Sequence, residues 1–303
     1  MTRNLLLLGG NGFIGAALAQ KYIQLGYEIH IVSRRKPTLT TSKIHLYQAS
    51  LDNTELLSQL IPRCNLIIHT ASTCTPATSA TEPHKEGEEN LMPLLRLLEI
   101  LSKYPPRQLI FMSSGGTVYG NPNRFPVTED APLMPISYHG ASKSAAEHFL
   151  HAYSHSGFPV TILRPSNVYG PGQEGPTGFG VVRTILQRLK SGAPMEIWGD
   201  GKTLRDYLYI DDLVNAVVQI QQKNCTGTFN VGSGVGHSVN ELVALAESIT
   251  GLKLSIVRKQ ARAMDVKGVV LDYSRLKTAT SWTPAINLSM GINRTWKWLT
   301  QQP

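Results

Sequence analysis

Through the first half of the chain, short apolar runs alternate with longer stretches whose apolar residues recur at intervals of three and four. NLLLLGG (4 to 10), EIHIVS (28 to 33), KIHLYQA (43 to 49), NLIIHTA (65 to 71), QLIFMSS (108 to 114) and PVTILRP (159 to 165) read as strands, each closing on small or polar residues. Segments 13 to 25, 53 to 61, 87 to 103 and 141 to 156 carry the helical spacing. Strand and helix in alternation predict an α/β fold with a parallel, doubly wound sheet. The ligand crevice of such a sheet lies at the carboxyl ends of its strands. That places Gly9, Ser33, Ala71, Ser113 and Asn167 near one rim.

After residue 165 the pattern loosens. NVYGPGQEGPTGFG is rich in glycine and proline and reads as loop, and the segments beyond it mix helices with short strands. The helical stretch 211 to 222 and the strand-like GTFNVGS are expected to return to the sheet. The predicted division is therefore residues 1 to 165 as one domain, rejoined by about 205 to 235. Residues 166 to 204 and 236 to 303 then form a smaller C-terminal domain.

Bulk properties narrow the classes. A chain of 303 residues can bury one main core and a smaller companion. The opening run Leu5–Leu8 is too short to span a membrane, and a secretory signal needs a longer apolar core, so a cytoplasmic protein is expected. Cys64, Cys74 and Cys225 show no paired spacing for a metal or a disulfide framework. The net charge of +8 is spread along the chain, with no basic run longer than RRK at 34 to 36. This speaks for a solvated surface or a small phosphorylated ligand rather than nucleic acid.

LLLLGGNGFIGAALAQ carries the strongest chemical signal. Gly9, Gly12 and Gly15 satisfy one dinucleotide-binding spacing and Gly10, Gly12 and Gly15 another, with a strand before and a helix after. Absent side chains let the backbone approach a pyrophosphate, and the helix start at Phe13 and Ile14 offers it free N–H groups. Ala71, closing the strand-like NLIIHTA, joins the same expected site. At the end of the second strand, where an NAD site commonly has an acid, the chain has Ser33, Arg34 and Arg35. A cationic corner suits a 2′-phosphate, so NADP(H) is favoured over NAD(H). The bland alternative is that one of these arginines is solvated or stacks on adenine.

With these residues in place, the chain resembles the extended short-chain dehydrogenases/reductases, in particular the NAD-dependent epimerase/dehydratase group of nucleotide-sugar enzymes. The matching segments, in order, are GGNGFIG, LIIHTAS, EENLMPLLRLLE, FMSSGGTVYG, YHGASKSAAEHFL, TILRPSNVYGPGQ, WGDGKTLRDYLYIDDL, FNVGSG and RAMDVKGVVLDYSRLK. The resemblance implies a Rossmann sheet with a smaller substrate-binding domain. It also implies a hydride exchanged between a sugar carbon and the nicotinamide, while a tyrosine phenolate moves the hydroxyl proton. A lysine binds the nicotinamide ribose, and a serine or threonine orients the sugar oxygen.

Lys143 matches that lysine, but the tyrosine position, four residues earlier, is His139. Tyr138 is displaced by one residue, which on a helix turns it about 140 degrees from Lys143 instead of about 40. The usual serine or threonine is replaced by Gly115, leaving Ser114 and Thr117 as neighbouring hydroxyls. Three readings stand: His139 carries the proton, Tyr138 swings into the site, or the site binds without turnover.

On the substrate side the resemblance implies that Asn167 bonds a sugar or phosphate oxygen and that Arg205 clamps the diphosphate. Arg262 and Asp265 would contact the second phosphate and the ribose. Gly116 and Thr117 stand where the family's 4,6-dehydratases have an acid pair, which speaks against dehydration. The expected activity is a nucleotide-sugar 4-epimerase. The alternatives are an NADPH-dependent reductase of a 4-keto nucleotide sugar and a catalytically altered binding protein. The expected partner is a nucleotide-diphosphate sugar, and a homodimer would form through the helices at 87 to 103 and 141 to 156.

Overall fold

In the first strand, Asn4–Leu8, consecutive leucines face opposite sides of the sheet. Leu5 and Leu7 join a cluster with Leu18, Tyr22 and Val217, while Leu6 and Leu8 join another with Leu57, Leu97 and Leu150. A strand covered by helices on both faces has no use for a polar alternate, which is why the run is continuous. The computed structural model describes residues 3 to 35, 41 to 73, 76 to 174, 180 to 260 and 268 to 302.

Seven parallel strands make the central sheet. Their spatial order is Gly227–Val231, Val160–Pro165, Gln108–Met112, Leu66–His69, Asn4–Leu8, Glu28–Ser33 and Ile44–Gln48. The order reverses at the first strand, where Leu8 is in register with Val32 on one side and His69 on the other. Chains leave this point in opposite directions, so the crevice opens above it. The helix Phe13–Gln24 covers one face and packs against Ile210–Gln222, while Met92–Lys103 and Tyr138–His155 cover the other.

A second sheet forms around Leu204–Tyr209, which pairs with Gly236–Ser238 antiparallel and with Gly268–Val269 and Asn167–Tyr169 parallel. Asp206 ties it together from a fully buried position. Its carboxylate accepts from Ser233 N at 2.8 Å, Ser233 Oγ at 2.7 Å, and the Gly234 and Leu271 amides at 3.2 Å each. Four donors repay the desolvation of one carboxylate. The return to the central sheet is thus made by Ile210–Gln222 and Gly227–Val231, with the preceding strand left in the small sheet. Among the described residues, no helix is long and apolar enough to cross a membrane, and no group of His, Cys, Asp and Glu could hold a metal ion.

A buried ion pair joins the helix Tyr138–His155 to the sheet. Arg164 Nη2 lies 2.6 Å from Glu147 Oε2, and both side chains are almost fully enclosed. Arg164 also donates to Tyr119 Oη at 2.8 Å, and Tyr119 donates to Asn230 Oδ1 at 2.7 Å. Glu147 further accepts from Ser113 Oγ. The network fixes the stretch from Ser113 to Tyr119, which forms part of the crevice wall.

Candidate functional site

The glycine-rich turn is built by collisions that other residues would suffer. Gly9 has φ +84°, and a Cβ there would lie 2.6 Å from the Ala71 backbone. A Cβ on Gly15 would strike the Gly9 carbonyl, so helix and turn could not close. Gly12 caps Phe13–Gln24 with no side-chain hydrogen bond, and Gly12, Phe13, Ile14 and Gly15 line the main cavity. A helix start that no side chain caps, opening on a cavity, fits a pyrophosphate.

Beside it lies a smaller cavity of about 170 Å³ lined by Gly9, Ser33, Arg34, Arg35, Ala71 and His69, among others. Ser33 Oγ accepts from the Arg35 amide at 3.2 Å, and Asn11 Nδ2 donates to the Arg35 carbonyl at 2.8 Å, so the corner is held by its own backbone. Arg34 is engaged: its Nη1 lies 3.3 Å from Glu89 Oε2. A carboxylate therefore reaches the corner after all, from the turn Gly87–Leu91 and not from the end of the second strand. His69 is buried, and neither ring nitrogen has a partner among the described residues. Burial, with Lys143 nearby, holds it down to about 3, so the ring is neutral.

The main cavity, about 460 Å³, brings together His139, Lys143, Ser114, Thr117 and Asn167. The helix Tyr138–His155 starts at Tyr138, with Ser137 Oγ accepting from Gly140 N at 3.1 Å. Gly140 permits close packing here, since a Cβ would meet the Thr117 carbonyl at 2.7 Å. Because the helix already includes both residues, Tyr138 and His139 point apart. Tyr138 is 51% exposed and is not among the cavity's lining residues, whereas His139 is buried and is one of them.

Lys143 is half-buried, donates to the Met112 carbonyl at 2.9 Å, and lies 4.9 Å from the centre of the Phe111 ring. Burial pushes its ammonium down to about 8, against the pull of Glu86 and Glu147. Asn167 donates to the Asp206 carbonyl at 2.9 Å, which anchors it at the cavity wall. Arg205, on the same strand as Asp206, donates to the Leu204 carbonyl at 3.0 Å and is not among the lining residues. Arg262 and Asp265 lie outside the described residues. At Gly115 there is no space for the missing serine: a Cβ would lie 2.5 Å from Leu271 Cδ1 and 2.8 Å from the Arg164 carbonyl.

Sequence reasoning missed the residue that touches His139. Glu86 Oε1 lies 3.1 Å from His139 Nδ1, and the Glu86 side chain is almost wholly enclosed. Ser79 Oγ donates to the same oxygen, and Asn90 Nδ2 donates to Oε2 at 2.8 Å. Burial opposes ionisation of Glu86, but the hydrogen bonds from His139, Ser79 and Asn90 and the imidazole's charge outweigh it, and the carboxyl is held down at about 2. The π-helical turn Gly87–Leu91 follows directly.

Comparison with known proteins gives a consistent picture. The profile described as the NAD dependent epimerase/dehydratase family matches residues 5–232. A protein of Methanocaldococcus jannaschii named putative UDP-glucose 4-epimerase is 31% identical over 97% of this chain and 98% of its own length. An Escherichia coli dTDP-4-dehydro-6-deoxyglucose reductase is 30% identical over 95% of each. The solved structure of a Thermotoga maritima UDP-glucose 4-epimerase with UDP-glucose superposes with a TM-score of 0.93 at 34% identity, covering 98% of this chain and 99% of that one. With the profile matched across most of its length and full-length relatives beside it, this chain belongs to the NAD-dependent epimerase/dehydratase family.

Proposed function

We propose that this chain is a nucleotide-sugar 4-epimerase in which His139, not a tyrosine, carries the proton of the sugar hydroxyl. The observation that carries the reading is the wall of the main cavity, where His139 and Lys143 stand one helical turn apart beyond an uncapped helix start. A bound nicotinamide dinucleotide would supply the hydride acceptor and donor. The N–H groups at Gly12–Gly15 would hold its pyrophosphate, and Lys143 its nicotinamide ribose. An imidazole titrates close to neutrality and needs no phenol-lowering lysine, which leaves Lys143 free for that role. Ser114 or Thr117 would orient the sugar oxygen from the same wall. Asn167 and Arg205, with Arg262 and Asp265 beyond the described residues, would bind the nucleotide diphosphate. On this reading the smaller sheet and its flanking segments form the substrate-binding part. Both helices at 92 to 103 and 138 to 155 would meet a second copy of the chain.

The Ser33, Arg34 and Arg35 corner admits a 2′-phosphate, and Glu89 opposes it through Arg34. A preference for NADP(H) would rest on that corner alone, and it would favour the second reading, a reductase that delivers hydride once to a 4-keto nucleotide sugar, with protonated His139 as the acid. The E. coli relative has a name of that kind.

Native mass spectrometry of the purified protein, with and without UDP-glucose, combined with turnover of UDP-galactose and UDP-glucose, tests both. An epimerase retains its dinucleotide and interconverts the two sugars without net consumption. Stoichiometric loss of NADPH with a 4-keto nucleotide sugar identifies the reductase. Nucleotide-sugar binding without either reaction defeats both and leaves a binding protein.

A further inference from the structure

Glu86 is 4% exposed, and among the described residues its carboxylate meets His139 Nδ1 at 3.1 Å and accepts from Ser79 Oγ and from Asn90 Nδ2 at 2.8 Å. An ionised carboxylate only accepts, so the imidazole nitrogen facing it must carry the hydrogen. The neutral ring then bears its lone pair on Nε2, the nitrogen left for the cavity that His139 lines.

We propose that Glu86 is a positioning residue for His139, fixing the imidazole as the Nδ1–H tautomer so that Nε2 accepts the sugar hydroxyl proton, and that Asn90 ties this dyad to the dinucleotide side of the crevice. The proposal rests on the reading of His139 as proton carrier. When the sugar carbon gives up its hydride, the hydroxyl proton moves to Nε2, and it returns when the hydride does. The imidazolium formed between those steps faces Glu86 at the end of the short helix His84–Glu86 and has Lys143 one turn on along its own helix, with Glu147 a further turn away and bound to Arg164. Without the Glu86 anion, two cations would stand one turn apart in a partly enclosed wall.

The tie to the dinucleotide side is made by one turn of chain. Asn90 Oδ1 accepts from Thr73 N at 3.0 Å and from Thr73 Oγ1 at 3.2 Å, while its Nδ2 donates to Glu86. Thr73 lines both cavities. Glu89, one residue earlier, reaches Arg34. The π-helical turn Gly87–Leu91 widens the helix by one residue where Glu86, Glu89 and Asn90 must each reach a different partner, and single π turns are frequent at functional sites.

Because Thr73 fixes which end of the Asn90 amide faces Glu86, the substitution Glu86→Gln has a determined outcome. The glutamine oxygen must accept from Asn90, which turns its NH2 towards His139 and forces the Nε2–H tautomer. The test is a long-range ¹H–¹⁵N spectrum of histidine-labelled protein at alkaline pH, assigned with His139→Phe, for the wild type, Glu86→Gln and Glu86→Asp. Thermal melting shows that each variant is folded.

The expected result is an Nδ1–H ring in the wild type and in Glu86→Asp, and an Nε2–H ring in Glu86→Gln. In parallel, UDP-galactose turnover by Glu86→Gln should lose kcat roughly 100-fold or more at nearly unchanged KM, with the acidic limb of its pH profile displaced. An Nε2–H ring in the wild type, or an unchanged ring and kcat in Glu86→Gln, overturns the role of Glu86. Full turnover by His139→Phe instead overturns the reading of His139 itself, so the two failures are distinct.

Discussion

Restoring the hydroxyl that the family resemblance leads one to miss should harm this protein. In Gly115→Ser, the new Cβ would stand 2.5 Å from Leu271 Cδ1 and 2.8 Å from the Arg164 carbonyl. Ordinary carbon contacts begin near 3.4 Å, so the side chain and the backbone must both give way. Leu271 is fully buried against Val118, Tyr119, Val127 and Val269, and the Arg164 backbone is held in the sheet and by the Glu147 pair, so neither moves freely. Overpacking of this kind costs about 1–3 kcal/mol. For a chain of this size that is a fall in Tm of roughly 2–5 °C. Because the clash begins at Cβ, Gly115→Ala should cost about as much as Gly115→Ser, and kcat should not rise in either. In a Leu271→Ala background Gly115→Ser should cost less than it does in the wild type, since one of the two clashes is gone. Scanning calorimetry of these variants, with Leu271→Ala alone as the reference for the double change, decides the matter. A Gly115→Ser variant as stable as the wild type, with faster turnover, would refute the reasoning and mean that the wall has room for the family's hydroxyl.

Further outcomes follow from the same geometry. Arg164→Met leaves the Glu147 carboxylate buried and unpaired and should cost about 3–5 kcal/mol in urea unfolding; a loss under about 1 kcal/mol would show that water reaches the pair. Glu86 is held at about 2, below the ordinary 4.5, so its share of stability is full above pH 4.5 and is lost as pH falls towards 2. That share is about 3 kcal/mol at most, and Glu86→Gln should flatten the urea midpoint against pH over that window; an undiminished acid dependence would show that another group carries it. Glu89→Gln removes the carboxylate from Arg34 and should move the ratio of NADP to NAD affinity upwards by roughly two- to fivefold, the worth of an exposed pair. An unchanged ratio in calorimetric titration would mean that Arg34 does not meet the 2′ position.

The alternation of apolar runs with helical spacing was enough to read the parallel sheet and its rim, because strands covered on both faces leave an unmistakable pattern in residues such as Leu5–Leu8. The glycine turn was legible for a similar reason: backbone closure at Gly9 and Gly15 tolerates no Cβ. What the sequence hid was side-chain convergence. Glu86 lies in HKEGEEN, just before the helical spacing of 87 to 103 and with no motif to mark it, and only the chain path through Gly87–Leu91 turns it inward. The same path delivers Glu89 to Arg34, which the expectation of a free cationic corner did not include. His69 stood within a strand motif and carried no mark of its unpartnered ring. The position of Tyr138 depended on where its helix begins, and Ser137 as the cap decides that.

Which side chain carries the proton is tested most directly by the rates of UDP-galactose turnover by His139→Phe and Tyr138→Phe at equal cofactor content. The buried His139 on the cavity wall predicts a loss of roughly 100-fold or more in His139→Phe, the usual worth of a general acid or base, and a rate within about twofold of the wild type in Tyr138→Phe, whose ring is half exposed. Activity kept by His139→Phe and lost by Tyr138→Phe would contradict it.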